Sequence, residues 1–500
     1  MKQYLMAFDQ GTTSSRTIIF NKNGEIVAQA AREFKQYFPQ QGWVEHDAEE
    51  ILEAQLATAK QALAIANISA EDIAAIGITN QRETTVVFDK FTGKPIHKAI
   101  VWQCRRTEQD CARLKQEGLE PLIREKTGLA ADPYFSATKL SWLLHHVEGA
   151  MARAKAGELL FGTIDTWLIY HLTGGKVHAT DPSNAARTML FNIHTRTWDD
   201  ELLKIFDVPR TMLPEVLPTA HAYGQTIPSL LGAPITIGGV AGDQQAALFG
   251  QCCFLAGDVK NTYGTGGFLL MNTGSTPVTS HNGLLTTIGW QIGDKTTYVL
   301  EGSVFICGAA MQWLRDGLGI IASSKESAEI AATVPDSGGV YFVPAFVGLG
   351  TPYWNAAARG TLCGITRGTT RAHIVRATLD AMALQTVDVI EAMRRDTGLE
   401  VPLLRVDGGA SANDLLLQLQ SDYAAISVAR PACIETTAWG AAALAGLTAG
   451  IYQSLDDLHA LTSTASIFTP RADEKARNAK LAKWHKAIQA AQIFAENDAF

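Results

Sequence analysis

The chain holds 500 residues, 47% of them hydrophobic and 18% charged, with a formal net charge of −8. That length exceeds one ordinary core and suits two domains of roughly 250 residues. The composition excludes a disordered chain, and the negative balance gives no electrostatic reason to expect nucleic acid.

The apolar run Tyr4–Phe8 opens a three-strand meander completed by Thr17–Phe20 and Glu25–Gln29, with Asn21-Lys22-Asn23-Gly24 as a turn. The run follows Met1-Lys2-Gln3 with no cleavage site, so no signal peptide is expected. Helical spacing of apolar residues predicts a helix over Ala48–Ala66, and Ile73–Thr79 and Thr84–Phe88 read as further strands. The second half repeats this grammar more loosely, with strands at Val259–Asn261, Gly267–Asn272 and Thr297–Glu301. A long amphipathic helix then runs from Thr370 to Thr397. The uncharged stretch Thr436–Leu455 is rich in Ala, Gly and Thr, too weakly apolar for a membrane span, and reads as a close-packed buried helix. Arg471–Lys486 reads as a solvated helix face. Seven cysteines, an odd number with no CxxC pair, point to reduced thiols in a cytoplasmic protein.

Three turns carry the chemical signal. In Ala7-Phe-Asp-Gln-Gly-Thr-Thr-Ser-Ser-Arg16 an acidic residue leaves a strand, a glycine turns the chain, and four hydroxyls precede an arginine. Asp9 can hold a magnesium ion, the hydroxyls and backbone N–H groups can face phosphates, and Arg16 can neutralise charge that shifts during transfer. The same stretch is also ordinary hairpin chemistry. Val259–Met271 repeats the pattern half a chain later, around Gly264. Leu403–Asn413 is a strand running into a glycine turn and then a helix, where a backbone can approach a ligand closely. No Walker motif occurs, so phosphoryl transfer would rely on positioning between the two hairpins.

Long motifs extend this pattern over essentially the whole chain: AFDQGTTSSR at 7–16, GWVEHD at 42–47, ITNQRETT at 78–85, VWQCRRT at 101–107, DPYF at 132–135, AGDQQAALFGQ at 241–251, NTYGTGGF at 261–268 and RVDGGASAN at 405–413. On these residues the chain resembles the glycerol-phosphorylating members of the FGGY carbohydrate kinases, within the actin-like ATPase superfamily. The resemblance implies an α/β fold of two duplicated actin-like (ribonuclease H-like) domains, residues 1–251 and 252–500, with the active site in the cleft between them. It implies transfer of the γ-phosphate of MgATP to glycerol, giving sn-glycerol 3-phosphate and ADP. It also implies phosphate contacts from Thr12, Thr13, Ser14 and Arg16 on one side and Thr265 and Gly266 on the other. Asp9 would act on the metal through water, and Gly308, Gln312, Gly409 and Asn413 would hold the nucleoside. A homo-oligomer, dimer or tetramer, is expected.

For the acceptor, Arg82-Glu83 sets a fork donor beside a carboxylate acceptor, matching a hydroxyl that both gives and receives hydrogen bonds, although adjacent opposite charges are usually a surface pair. Tyr134 and Gln244 look like further hydroxyl partners, and by the resemblance Trp102 and Phe268 wall the carbon skeleton. Asp243, after Gly-Gly-Val-Ala-Gly, is the candidate catalytic base, because an alcohol is a poor nucleophile until its proton leaves. It can equally be the N-cap of the helix that follows. Glu45-His46-Asp47 looks like a metal cluster, but consecutive residues seldom point at one ion.

Gln225–Ala233 reads QTIPSLLGA, without the basic loop that binds a sugar bisphosphate inhibitor in some relatives, so insensitivity to fructose 1,6-bisphosphate is expected. Two rival readings remain at this level: a kinase of the same family acting on another polyol or a ketose, and an actin-like ATPase without kinase activity.

Overall fold

The structure is a computed structural model and describes residues 3–495. Thirteen strands form one sheet. In the first half they are β1 (Tyr4–Gln10), β2 (Ser14–Asn21), β3 (Ile26–Glu33), β4 (Ile73–Asn80), β5 (Ala220–Gln225) and β6 (Thr236–Gly242). The second half supplies β7 (Val259–Tyr263), β8 (Gly267–Gly274), β9 (Leu285–Ile292), β10 (Lys295–Val304), β11 (Leu403–Asp407), β12 (Ser427–Pro431) and β13 (Thr464–Phe468).

Their spatial order is β13-β12-β11-β7-β8-β10-β9-β5-β6-β4-β1-β2-β3. Two copies of one unit are visible in it. In the first, β3-β2-β1 form an antiparallel meander and β4 and β6 lie parallel to β1. In the second, β10-β8-β7 form the meander and β11 and β12 lie parallel to β7. This 3-2-1-4-5 order, repeated, is the duplicated α/β architecture expected from the sequence.

Helices follow the same repeat. Helix α1 (Ala48–Ala66) links the meander to β4, α2 (Ile164–Leu172) lies between β4 and β6, and α3 (Asp243–Gly250) follows β6. Their counterparts are α4 (Arg371–Thr397), α5 (Asp414–Ala424) and α6 (Thr436–Thr448), and α7 (Glu474–Ala495) follows β13. Asp47 starts α1 by accepting the N–H groups of Glu49 and Glu50, and Gly398, at φ 66°, ends α4.

The halves meet through α3 and α6. A Cβ on Gly440 of α6 would stand 1.9 Å from the Ala246 carbonyl of α3, and one on Gly77 of β4 would stand 1.9 Å from the Ala441 carbonyl. Small residues are therefore what allow α6, from the second half, to lie directly on first-half strands. No helix among the described residues is long and apolar enough to cross a membrane.

Three sequence expectations change. The buried helix read over Thr436–Leu455 ends at Thr448, and Leu455 begins a separate helix. The strand at Thr84–Phe88 is observed as Val86–Asp89, paired with Leu159–Gly162 outside the main sheet. The charged stretch from Arg471 is largely solvated, but α7 also buries Trp484, Ala487, Ile488 and Ala491. Its Trp484 Nε1 donates to Asp388 of α4 at 2.7 Å, so the helix is docked as well as wetted.

Candidate active site

Parallel pairing decides where the site lies. Gln10 is level with Asn80, and Asn80 with Gly242, so β1, β4 and β6 end on one edge. That edge carries the Gly11–Thr13 turn, the Arg82-Glu83 pair and Asp243 together. In the second half Thr262 is level with Asp407, which brings the Gly264–Gly266 turn beside the Gly408–Asn413 loop. Open α/β sheets bind ligands outside the carboxyl ends of their parallel strands. Here two such edges are joined in one sheet.

The first turn is built around Asp9. Its carboxylate, buried at the end of β1, pairs with Arg16 directly across the β1–β2 hairpin, and Arg16 also reaches Glu435 at 2.8 Å. Thr12 and Thr13 form the tip, and Ser14 opens β2, its carbonyl accepting the Gly11 N–H at 2.9 Å. Two amides hold the carbonyl side of this turn. Gln81 Nε2 donates to Gly11 O and Gln36 Nε2 to Thr12 O, both at 3.1 Å. His46 bridges them, with Nε2 2.6 Å from Gln36 Oε1 and Nδ1 3.3 Å from Gln81 Nε2. Burial pushes this imidazole down to about 3, so it stays neutral.

The Glu45-His46-Asp47 run divides in the way consecutive residues should. Glu45 takes Arg106 at 2.7 Å, His46 the two amides, and Asp47 the start of α1.

In the second turn Thr265 is exposed and Gly266 is buried, where a Cβ would stand 2.6 Å from Val304 O. The Gly308 N–H donates to Gly264 O at 2.9 Å, tying the helix Gly308–Gln312 to the turn, with Gln312 exposed. Gly408, at φ 83°, packs so closely on Tyr263 that a Cβ would stand 2.5 Å from its carbonyl. Gly409 opens to free space beside it. Asn413 is the N-cap of α5, its side-chain oxygen accepting Leu416 N–H at 3.1 Å. Its Nδ2 end donates to Ser327 Oγ at 3.4 Å.

Arg82 and Glu83 are both buried, which removes the surface-pair reading. They are not primarily paired with each other, since their closest approach is 3.9 Å. Arg82 grips Glu301 of β10 with both terminal nitrogens, at 2.5 and 3.0 Å, and its Nε lies 3.2 Å from Asp243 Oδ1. Glu83 accepts from Arg187 Nε at 2.6 Å, and Arg187 Nη2 reaches Glu301 at 3.2 Å. Glu83 also adopts φ 62°, a left-handed backbone that is strained for a side chain of its size and typical of functional positions. Burial raises the Glu83 carboxyl, opposed by Arg187 and Arg82.

Tyr134 OH lies 3.3 Å from Arg82, and its ring meets Trp102 edge-on with centroids 5.5 Å apart. Trp102 Nε1 donates to Thr12 Oγ1 at 3.0 Å, joining the apolar wall to the first turn. Phe268 stands apart on β8, level with Thr262 and Ser303, and among the described residues its ring pairs with neither Trp102 nor Tyr134.

Asp243 is the first residue of α3. The N-cap is Gly242, so the capping role open in the sequence is not filled by Asp243. Its side chain keeps 32% of its surface exposed. Burial holds the carboxyl above its ordinary value, with Arg82 and Lys260 opposing. Gln244 is buried beside it and accepts from Lys260 Nζ at 2.5 Å.

Sequence reasoning missed Arg187, Lys260 and Glu301. Arg187 and Glu301 are each a lone charge within an apolar or small-residue stretch, and that isolation was the available signal, whereas Lys260 stands two residues from Asp258 and offered none. Among the described residues no three His, Cys, Asp or Glu side chains converge as a standing metal cluster. Magnesium that arrives with nucleotide needs only a carboxylate or two beside phosphate oxygens, and the buried Asp9 fits that demand.

Residues 4–250 match the N-terminal domain, and 259–449 the C-terminal domain, of the FGGY family of carbohydrate kinases. A glycerol kinase of Agathobacter rectalis is 56% identical over 498 residues, covering 100% of both chains. One from Geobacillus kaustophilus is 57% identical over 495 residues, covering 99% of this chain and 100% of that protein. Among solved structures, Plasmodium falciparum glycerol kinase with ADP superposes with a TM-score of 0.91 at 36% identity, covering 98% of each chain. Xylulose kinase of Lactobacillus acidophilus, at 22% identity and 99% coverage of each chain, gives 0.88 and shares the fold. The chain belongs to the FGGY family of carbohydrate kinases.

Proposed function

We propose that this protein is an ATP-dependent kinase that moves the γ-phosphoryl group of MgATP to a terminal hydroxyl of glycerol, releasing sn-glycerol 3-phosphate and ADP. The observation that carries this reading is Asp243. A half-exposed carboxylate stands at the edge shared by the first turn and the Arg82-Glu83 pair, with a fixed cation 3.2 Å away. Full-length identity of 56–57% to curated glycerol kinases supports the choice of acceptor.

In this reading Asp243 takes the proton of the attacking hydroxyl, which is why it must be ionised and within hydrogen-bond reach. Arg82, Glu83, Tyr134 and Gln244 hold the acceptor's hydroxyls, with Trp102 and Phe268 against its carbons. Polar groups fixed in advance favour a small polyol, whose every hydroxyl then finds a partner. Thr12, Thr13, Ser14 and Arg16 face the phosphates from the first half, and Thr265 and Gly266 from the second. Asp9 would hold magnesium brought with the nucleotide, which would supply neutralisation of phosphate charge. Gly308, Gln312, Gly409 and Asn413 hold the nucleoside. Release of Arg16 from Asp9 and Glu435 frees its guanidinium for phosphate oxygens.

Residues 1–251 and 252–500 form the two domains of this reading, closing on substrate to exclude water as a competing acceptor. Free cysteines throughout the described residues support a cytoplasmic setting. A dimer or tetramer belongs to the same reading, and sedimentation velocity showing only monomer would remove that part.

The test is ADP release from MgATP with glycerol, dihydroxyacetone, xylulose or no acceptor. Strong stimulation by glycerol, with glycerol 3-phosphate as product, is expected. Stimulation only by a ketose would change the substrate, and equal release without acceptor would favour an ATPase.

A further inference from the structure

One buried cation in the cleft has no part in the chemistry described so far. Lys260, on β7, is fully buried, yet among the described residues no carboxylate lies within ion-pair distance of it. Its Nζ instead donates to Gln244 Oε1 at 2.5 Å and Thr262 Oγ1 at 2.8 Å. The first of these bonds crosses from the second half of the chain to the first, at the residue next to Asp243. The charges facing Lys260 are Asp407, Asp243, Arg82 and Glu301. Asp407 Oδ2 accepts from Gln251 Nε2 at 2.9 Å and from Thr436 Oγ1, while its buried Oδ1 has no hydrogen-bond partner among the described residues. Lys260 thus feels the charge of Asp407 without a direct contact to it, and its hydrogen bonds go to Gln244 and Thr262 instead. Burial pushes its ammonium down to about 8, opposed by Asp407 and Asp243, so it is still charged at neutral pH.

An ammonium can only donate, whereas a glutamine side chain has one accepting and one donating end. Contact with Lys260 therefore decides which way the Gln244 amide points. Its oxygen is consumed at the cleft floor, and its Nε2 is left as the free end. That nitrogen makes no hydrogen bond within the described residues, and it is not among the buried atoms sealed off without a partner. A donor so presented suits the lone pair of a substrate hydroxyl. The same positive charge favours the ionised form of Asp243, which Arg82 also supports and Glu301 opposes.

We propose that Lys260 is a positioning residue for the phosphoryl acceptor: it orients Gln244 to donate to a substrate hydroxyl and helps keep Asp243 ionised. This rests on the reading of Asp243 and Gln244 given above.

The test follows kcat and the KM of each substrate against pH for the wild type, Lys260→Met and Asp243→Asn. Lys260→Gln, which keeps a polar group in the same space, replaces the first variant if circular dichroism shows that it does not fold. Loss of one charge-assisted hydrogen bond raises the glycerol KM by about tenfold, with the MgATP KM within about twofold. Loss of a nearby positive charge moves the acid limb of kcat/KM upward by at least about half a pH unit. Both shifts are required. A variant with lower kcat but unmoved glycerol KM or an unmoved acid limb gives Lys260 a merely structural role and overturns the proposal. Full turnover in Asp243→Asn overturns the base assignment itself. Lost turnover there with an unmoved limb in the Lys260 variant overturns this inference alone.

Discussion

Arg82 Nε stands 3.2 Å from Asp243 Oδ1, while both terminal nitrogens of the same guanidinium hold Glu301. The arginine thus joins the partly exposed carboxylate of the first half to a buried strand of the second. Arg82 and Arg187 face Glu83 and Glu301, two buried cations against two buried carboxylates. A buried set balanced in this way tolerates the loss of one member poorly, because a charge is then left without compensation.

Glu301→Gln is therefore expected to destabilise the fold by about 3–5 kcal/mol, read from denaturant unfolding at pH 7. Burial would raise the Glu301 carboxyl, but Arg187 and Arg82 outweigh it and hold it at about 2. A depressed carboxyl stabilises fully above its unfolded value, about 4.3, and loses that contribution as pH falls towards 2. The gap between wild type and variant should accordingly shrink in acid. A gap independent of pH would mean that Glu301 is not acting as a charge.

The acid limb of kcat/KM is set by Asp243. Its own burial raises this carboxyl, and the deprotonated form is the one that accepts a proton. Activity should fall with decreasing pH at a value above that of a free aspartate, about 3.9. A limb at or below the free value would show that the carboxyl is not held up by burial.

His46 lies behind the first phosphate turn and touches no proposed substrate atom. Its Nε2 faces Gln36 Oε1 and its Nδ1 faces Gln81 Nε2, the pattern of one neutral tautomer. His46→Ala should loosen Gly11 and Thr12, raising the MgATP KM by about fivefold or more while the glycerol KM stays within about twofold. Equal rises in both would point to general damage. The imidazole titrates well below its unfolded value, so its stabilising share is present above about 6.5 and lost as pH falls towards 3.

Gly440→Ala tests the contact between halves. The new Cβ would stand 1.9 Å from a backbone oxygen of α3, which no rotamer change can relieve. Overpacking of this kind costs about 1–3 kcal/mol or more, so a lower melting temperature and poorer activity are expected. Unchanged melting would mean that α3 and α6 are less closely packed than described.

The turns at Gly11, Gly264 and Gly408 were legible in the sequence because turn chemistry is local: a glycine, neighbouring hydroxyls and a preceding apolar strand are contiguous. Helix α4 was legible for the same reason, its periodicity running unbroken to Gly398. The Arg82-Glu83 pair was only half legible. Its residue types suggested hydroxyl recognition, but its burial comes from Glu301, 219 residues away, and Arg187. Lys260 and Glu301 each look locally like a strand residue facing water, since only the pairing of distant strands shows where they point. The strand expected at Thr84–Phe88 misled because the fifth strand of the first unit, β6, arrives after a long insertion that carries Trp102, Tyr134 and Arg187.

The most direct test of the account is turnover of Asp243→Asn with saturating MgATP and glycerol, alongside binding of both substrates. The amide keeps the size of the side chain and cannot take a proton. Folding and both affinities should stay near wild type while kcat falls by about 100-fold or more, the share typical of a general base. Wild-type turnover in this variant would contradict the account.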